Sequence, residues 1–334
     1  MDIRKIETYS YQLFPKGKLG SKAVNAPFRQ GALLRITFSN GKAGYSDCFP
    51  WPELGDVPLA TQLCFLKEGK LTTLTERSLE FAKIDAEARS EGKSLFKDAV
   101  FPQNHFLVTD YRLLDEGRLK ALSEDGFSLL KVKVGSQPIQ EAEKIKELFP
   151  LLKELSIQLR LDFNSSLTPE QVEEFLELLG PASLQIDFIE DPTGYHPEVW
   201  KSLQEKWNIR LAIDRIDPEQ ISQLDPTSFS VLVVKPAIQD WKKMASIAKQ
   251  MGVSLVVTSY LDHPIGQLYA TWVAVQLHAD PHIQLEPCGL ISQIAYEPNA
   301  FSVLLATKKN RLELPLDLGI GFSSVLEGLK WEEL

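Results

Sequence analysis

The chain has 334 residues, of which 44% are hydrophobic and 24% charged, and a net charge of −9. That length predicts about two domains, or one large α/β barrel with an appendage, and the composition excludes a disordered chain, a collagen and a disulfide miniprotein. The acidic balance argues against nucleic acid or an anionic membrane as a partner.

The chain opens with MDIRKIETYSYQLF, which carries charges where a signal peptide needs an apolar run. Nowhere does an apolar run approach the roughly 18–20 residues that span a bilayer, so a cytoplasmic location is expected. Residues 3–14 and 31–38 read as strands. The second ends at Ser39-Asn40-Gly41, a hairpin signal, and KAGYSDCF follows as a third strand. Segment 16–29, rich in Gly, Lys and small residues, reads as a mobile loop. Residues 76–91 read as a helix that stops at Gly92. These pieces make an α+β cap over residues 1–100, to which the tail 311–334 would return.

Residues 101–310 show a different pattern, with short apolar runs recurring between amphipathic helical segments. The runs are HFLVTD (105–110), SLLKVKVG (128–135), SIQLRLDFN (156–164), LQIDFIEDP (184–192), IRLAIDR (209–215), FSVLVVKPAI (229–238), SLVVTSYLD (254–262) and HIQLEP (282–287). Alternating strands and helices argue for a parallel sheet. Eight such units argue that the sheet closes into a barrel. The cysteines, Cys48, Cys64 and Cys288, form no CxxC pair, and the five histidines no HExxH, so no zinc site is expected. No Gly-rich phosphate loop is present in the sequence.

Barrel enzymes carry their chemistry at the C-terminal strand ends. Three consecutive runs end in carboxylates: Asp162 with Asn164, Glu190 with Asp191, and Asp214. One carboxylate at a strand end more often caps the next helix than binds a ligand. Three on adjacent strands repel one another unless a cation neutralises them. Hard oxygen donors in that number suit Mg²⁺, or Mn²⁺, rather than zinc. Lys131 and Lys133 are two apart on a strand and face the same way, while Val132 faces the helices. Lys235 follows VLVV on the sixth run. A lysine beside a second cation and partly desolvated has a lowered pKa and can serve as a general base. Lysines around a carboxylate-bound metal suit removal of a proton α to a carboxylate, where the enolate needs stabilising as it forms.

This constellation resembles the enolase superfamily. The matching residues are Lys131-Val132-Lys133, Asp162-Phe163-Asn164, Glu190-Asp191-Pro192, Asp214 and Lys235, spaced 29, 28, 24 and 21 residues apart from Lys133 onward. Lysines at both ends of the set, with no histidine at a strand end, resemble the muconate-lactonising subgroup. Within it the chain looks most like the o-succinylbenzoate synthases of menaquinone biosynthesis, which carry an arginine where Arg160 stands. The resemblance implies an N-terminal α+β cap on a (β/α)₇β barrel. It implies Mg²⁺ on Asp162, Glu190 and Asp214, with Asn164 and Asp191 behind them. Lys133 would take the α-proton and return it to the departing hydroxide. Lys235 would face the other side of the enolate, and Lys131 would tune Lys133 and approach the substrate carboxylate. Loop 16–29 would close over a small-molecule carboxylate, and Ser259 and Glu286-Pro287-Cys288-Gly289 are weaker candidates for contacting it.

Two features depart from the pattern. Arg215 follows Asp214 where many relatives have Glu, and the seventh run is only loosely similar, with Asp262 and His263 read as shaping a turn. The missing Asp-x-Asp on the eighth run argues against dipeptide epimerases. The alternatives are an N-acylamino acid racemase or dipeptide epimerase using the same two lysines, a muconate cycloisomerase, and a non-catalytic metabolite-binding barrel. Oligomeric state is not legible.

Overall fold

The computed structural model describes residues 2–19, 27–214, 216, 220–314 and 317–334. Strands β1 (Ile3–Leu13), β2 (Arg29–Phe38) and β3 (Ala43–Cys48) run antiparallel in sequence order. The hairpin after β2 closes through Phe38 N–H donating to Lys42 O at 2.9 Å, with Gly41 at φ 81. Helix α1 (Leu59–Lys67), which the sequence did not announce, precedes α2 (Thr73–Ser90). The second helix starts three residues before its expected position because Thr72 caps it: its hydroxyl accepts from Thr75 N–H, and Thr75 Oγ1 accepts in return from Thr72 N–H. Helix α2 lies on β3 so closely that a Cβ on Gly44 would stand 1.9 Å from Ala82 O.

The barrel strands follow in order, each separated from the next by helix or loop. They are β4 (Phe106–Val108), α3 (Glu116–Glu124), β5 (Leu129–Lys133), α4 (Pro138–Glu154), β6 (Gln158–Asp162), α5 (Pro169–Leu179) and β7 (Ile186–Glu190). Then come α6 (Pro197–Trp207), β8 (Leu211–Ile213), β9 (Val231–Val234), α7 (Trp241–Met251), β10 (Ser254–Val257) and α8 (Pro264–His278). Strands β4 to β10 form one parallel sheet in sequence order. The eighth run is not a continuous strand. It touches β10 at Leu255–Leu285 and Thr258–Gly289, and the β4 side at Asn104–Cys288, as isolated bridges. Pro287, in the middle of that stretch, has no N–H to give a ladder. The fold is nonetheless a (β/α)₇β barrel under an antiparallel cap. Its interior packs Phe188, Ala212, Val231, Val233 and Val256, while Val132 is buried among the outer helices.

After the barrel come β11 (Ala306–Lys308), β12 (Arg311–Glu313), α9 (Ser323–Glu327) and β13 (Glu332–Glu333). Strand β13 pairs with β1, so the tail joins the cap sheet. Buried Asp85 fastens it further, accepting from Ile320 N–H at 2.6 Å, Tyr45 N–H at 2.9 Å and Arg89 Nε at 2.7 Å.

Cap and barrel meet over a pair of carboxyls, the half-buried Asp47 and the buried Asp262. Asp47 on β3 accepts from Tyr11 Oη at 2.6 Å and from His263 N–H at 3.2 Å. Asp262 lies beside it, and a Cβ on Gly266 would touch Oδ2 of Asp262 at 2.4 Å and Oδ2 of Asp47 at 2.8 Å. Burial pushes Asp47 up to about 7, against its hydrogen bonds, and burial with the Asp47 charge pushes Asp262 well up. His263 caps α8 by accepting from Ile265 N–H at 3.2 Å, sandwiched between Tyr11 and Phe301. A carboxyl whose folded pKa is raised stabilises the fold below its unfolded pKa and loses that stabilisation as pH rises through the folded value. This interface therefore weakens between about pH 4 and pH 7, the Asp47 value. Asp47→Asn removes the carboxyl that ionises in this window while keeping an oxygen to accept from Tyr11 and His263: thermal melts should show the variant gaining on the parent by on the order of 3 °C from pH 5 to pH 8. Parallel melting curves across that range would overturn the assignment.

Candidate active site

The strand ends of the barrel face the cap across a cavity lined by Leu19, Trp51 and Leu54 from the cap side. From the barrel come Lys131, Lys133, Asp162, Asn164, Asp214, Lys235 and Ser259. The cap wall is stiffened where Trp51 Nε1 donates to Tyr260 O at 2.9 Å and Arg29 stacks on the indole at 3.6 Å while pairing with Glu53.

Register explains why these side chains converge. Lys133 pairs with Asp162, and Asp162 with Glu190, across β5, β6 and β7. Every second residue points inward, so Lys131 lies one layer below, level with Arg160. Lys131 Nζ donates to both Glu190 oxygens at 2.6 Å and stands 3.1 Å from Asp162 Oδ2. Lys133 Nζ is 3.6 Å from the same Asp162 oxygen, and Lys235 pairs with Asp214. Burial opposes the Lys131 charge, but Asp162, Glu190 and Asp214 outweigh it and hold this ammonium above the usual lysine range. Lys131 is thus a fixed cation of the site, not a lysine of lowered basicity. Burial alone would raise Asp162, yet Lys131 and Lys133 pull it well below the carboxylate range. Glu190 moves up instead, through burial and the neighbouring charges of Asp162 and Asp214, with Lys131 opposing.

Asn164 and Asp191 sit just past their strands at φ 49 and φ 44. Backbone held in the left-handed region by non-glycine residues costs on the order of 1–3 kcal/mol and gathers at functional sites. Asn164 Nδ2 donates to Asp162 Oδ1 at 2.7 Å, and Asp191 Oδ1 accepts from Asp214 N–H at 3.0 Å. Asp191 therefore holds the backbone of the third carboxylate from behind. Burial and the charges of Asp214 and Glu190 push its own carboxyl well up.

The donor set fits a hard divalent cation chemically: three carboxylates at the ends of adjacent strands, Asp162 and Glu190 buried and Asp214 half-buried, that demand a counter-charge. As the side chains stand, no three His, Cys, Asp or Glu groups among the described residues close on one point. The ammonium groups of Lys131 and Lys235 lie among the carboxylates and supply the counter-charge.

Arg160 lies elsewhere. Its guanidinium points away from the cavity, toward the strand-start end of the barrel. There it donates to Asp187 at 2.7 Å, Glu286 at 3.2 Å and Pro287 O at 2.5 Å, over the Phe188 ring. Arg210 bonds the same two carboxylates from the other side. Glu286 and Pro287 belong to this cluster, and Cys288 is buried behind it, whereas Gly289 lines the cavity. Residues 20–26 of the expected closing loop, and Arg215, lie outside the described residues. Sequence reading missed His105, Thr258, Tyr260 and Ser292, which all line the cavity. His105 was within reach, because it alternates with Leu107 on an inward-facing run.

Comparison with known proteins agrees with this architecture. Residues 6–88 match the family model described as "O-succinylbenzoate synthase, N-terminal domain", and residues 116–324 match "Enolase C-terminal domain-like". The chain belongs to the enolase superfamily. Within that superfamily it is most like the o-succinylbenzoate synthases: a curated o-succinylbenzoate synthase of Bdellovibrio bacteriovorus is 31% identical, over 99% of this chain and 98% of that protein. A D-Ala-D/L-Ala epimerase of Cytophaga hutchinsonii is 24% identical over 82% of this chain and 84% of its own. Among solved structures, the L-Ala-D/L-Glu epimerase from Bacillus subtilis shares the fold with a TM-score of 0.78 at 18% identity, covering 96% and 98% of the two chains. A Cytophaga hutchinsonii dipeptide epimerase, solved with Mg and a dipeptide, shares it with a TM-score of 0.75 at 18% identity, covering 99% of both. No helix among the described residues is long and apolar enough to cross a membrane.

One variant tests the structural role of Arg160. Arg160→Met leaves Asp187 and Glu286 facing only Arg210, and removing one partner of a buried pair costs about 3–5 kcal/mol. Chemical denaturation should show that loss. A variant as stable as the parent would overturn the structural role of Arg160.

Proposed function

We propose that this enzyme is an o-succinylbenzoate synthase, a Mg²⁺-dependent lyase of menaquinone biosynthesis. It would dehydrate 2-succinyl-6-hydroxy-2,4-cyclohexadiene-1-carboxylate to o-succinylbenzoate. The observation that carries the chemistry is that Lys133 and Lys235 line one cavity, each beside a carboxylate (Asp162 and Asp214), with Glu190 held to Lys131 next to Asp162. The match to the Bdellovibrio enzyme along nearly its whole length supports the choice of substrate.

Asp162, Glu190 and Asp214 would hold the cation, which when bound supplies positive charge to the substrate carboxylate as the enolate forms. Lys133, as the free amine, takes the proton from the carbon α to that carboxylate. The electron pair moves into the enolate, and then out again as the bond to the neighbouring hydroxyl breaks. Lys133, now an ammonium, gives its proton to the departing hydroxide on the same face, so water leaves and the ring becomes aromatic. The ammonium of Lys235 stands across the ring, where it steadies the enolate charge. Lys131 keeps its charge near the substrate carboxylate. The cap residues Trp51 and Leu54 exclude water.

A dipeptide or N-acylamino acid epimerase would use the same two lysines as bases on opposite faces, and the epimerase relatives favour it as the second reading. Turnover separates them. Loss of the diene absorbance with Mg²⁺, abolished by EDTA and restored by added Mg²⁺, is expected. Lys133→Ala should remain folded and lose at least about 10³-fold in kcat, the scale of general acid–base catalysis. A folded, Mg²⁺-loaded enzyme that leaves the diene untouched but exchanges the α-proton of L-Ala-L-Glu with D₂O would establish the second reading.

A further inference from the structure

His105 stands at the floor of the cavity with one ring nitrogen engaged and the other not. Leu107 is level with Lys131 across β4 and β5, so His105, two residues earlier, lies one inward layer deeper than Lys131 and two below Lys133. Arg160 Nη1 lies 3.1 Å from His105 Nδ1. A guanidinium has no acceptor, so it must donate and Nδ1 must accept. The single proton of a neutral ring is then on Nε2. Burial, with the charges of Arg160 and Lys131, keeps the ring neutral by holding its pKa well below the ordinary histidine value. No hydrogen bond reaches Nε2 from the described residues, although His105 is only 4% exposed and lines the cavity.

The surroundings of Nε2 are open on one side. Gly289 provides the opening: a Cβ there would stand 2.7 Å from His105 Nε2 and 2.9 Å from Thr258 Cγ2. Thr258 also lines the cavity, and its buried hydroxyl has no partner. A buried donor left unmatched is costly. An unmatched Nε2–H beside a glycine in the cavity, with the Thr258 methyl on its other side, makes a subsite that a ligand oxygen would complete.

We infer that His105, through its Nε2–H, binds an oxygen acceptor of the substrate remote from the carbon that loses its proton, and that Arg160 is the positioning residue fixing this tautomer. The inference rests on the proposed function only for the identity of that oxygen. In the succinyl substrate it is a carbonyl or carboxylate oxygen of the side chain; in a dipeptide it would be the equivalent oxygen of the distal residue. The contact is equally present in ground and transition states, so it should act on KM rather than kcat.

The experiment has two arms on the Mg²⁺-loaded full chain. In ¹⁵N-histidine-labelled protein at pH 7, with His105 assigned through His105→Gln, long-range ¹H–¹⁵N spectra should show Nδ1 bare and Nε2 protonated. Titration with o-succinylbenzoate, and separately with L-Ala-L-Glu, should move the Nε2 proton downfield with the ligand that binds. In the kinetic arm, His105→Phe should raise KM about tenfold with kcat within about threefold. His105→Gln, which keeps an N–H near the ε position, should recover much of that loss, and Gly289→Ala should raise KM by filling the subsite. A proton on Nδ1, an Nε2 signal indifferent to both ligands at saturation, or a KM for His105→Phe within twofold of the parent would overturn the assignment. A wild-type enzyme inactive on the cyclohexadiene would sink the proposed function alone, because the tautomer and the ligand shifts are read without turnover.

Discussion

The buried contact of Lys131 with Glu190 and Asp162 is the constraint around which the barrel mouth is organised. Three carboxylates from adjacent strands cannot lie together inside a protein without positive charge among them. Lys131 supplies it from below, at 2.6 Å from both Glu190 oxygens. That placement follows from strand register. Lys131 is one inward layer deeper than the carboxylates, so its long side chain can reach up between them without crossing a strand. Lys133, in the same layer as Asp162, has its ammonium at the rim and facing the cavity. Two lysines separated by one residue thus have different duties: the deeper one balances charge permanently, while the upper one faces open space.

A second charged layer closes the barrel from the opposite end. Arg160 and Arg210 face Asp187 and Glu286, two cations against two anions, and Phe188 separates this layer from the site above. Balanced charges with good hydrogen bonds offset their desolvation; unbalanced ones do not. His105 touches both layers, bonded to Arg160 below and open to the cavity above. The cluster that closes the barrel therefore also sets which ring nitrogen the cavity meets.

The sequence carried much of this, and its failures have physical causes. Period-two alternation put Lys131 and Lys133 on one face, their places at the ends of runs singled out Asp162 and Glu190, and these side chains do converge. Arg160 was singled out by resemblance alone, which could not say whether its long side chain runs up to the mouth or down to the floor. That depends on Asp187 and Glu286, which lie 27 and 126 residues away in sequence. The eighth strand was legible as an apolar run, but its pairing breaks into single bridges where Pro287 lacks an N–H. Helix α1 has a weak apolar stripe and no side-chain cap, which is why nothing in its sequence announced it.

Asp262 and His263 show the limit of reading residues singly. Taken alone, they suit a turn, and His263 does cap α8. What the turn does is press one carboxyl against Asp47 of the cap, a residue 215 positions earlier. The cap sheet, which carries Trp51 at its end, is thereby seated on the barrel through a proton-dependent contact beside the tyrosine and histidine rings. The wall that excludes water from the lysines and the pair that holds the wall in place belong to one stretch of chain. Residues 47–56 bear Asp47 at one end, Trp51 in the middle, and at the other Asp56, whose carboxylate accepts from Tyr260 Oη at 2.9 Å. Whatever loosens the cap at Asp47 therefore acts directly on the wall of the site.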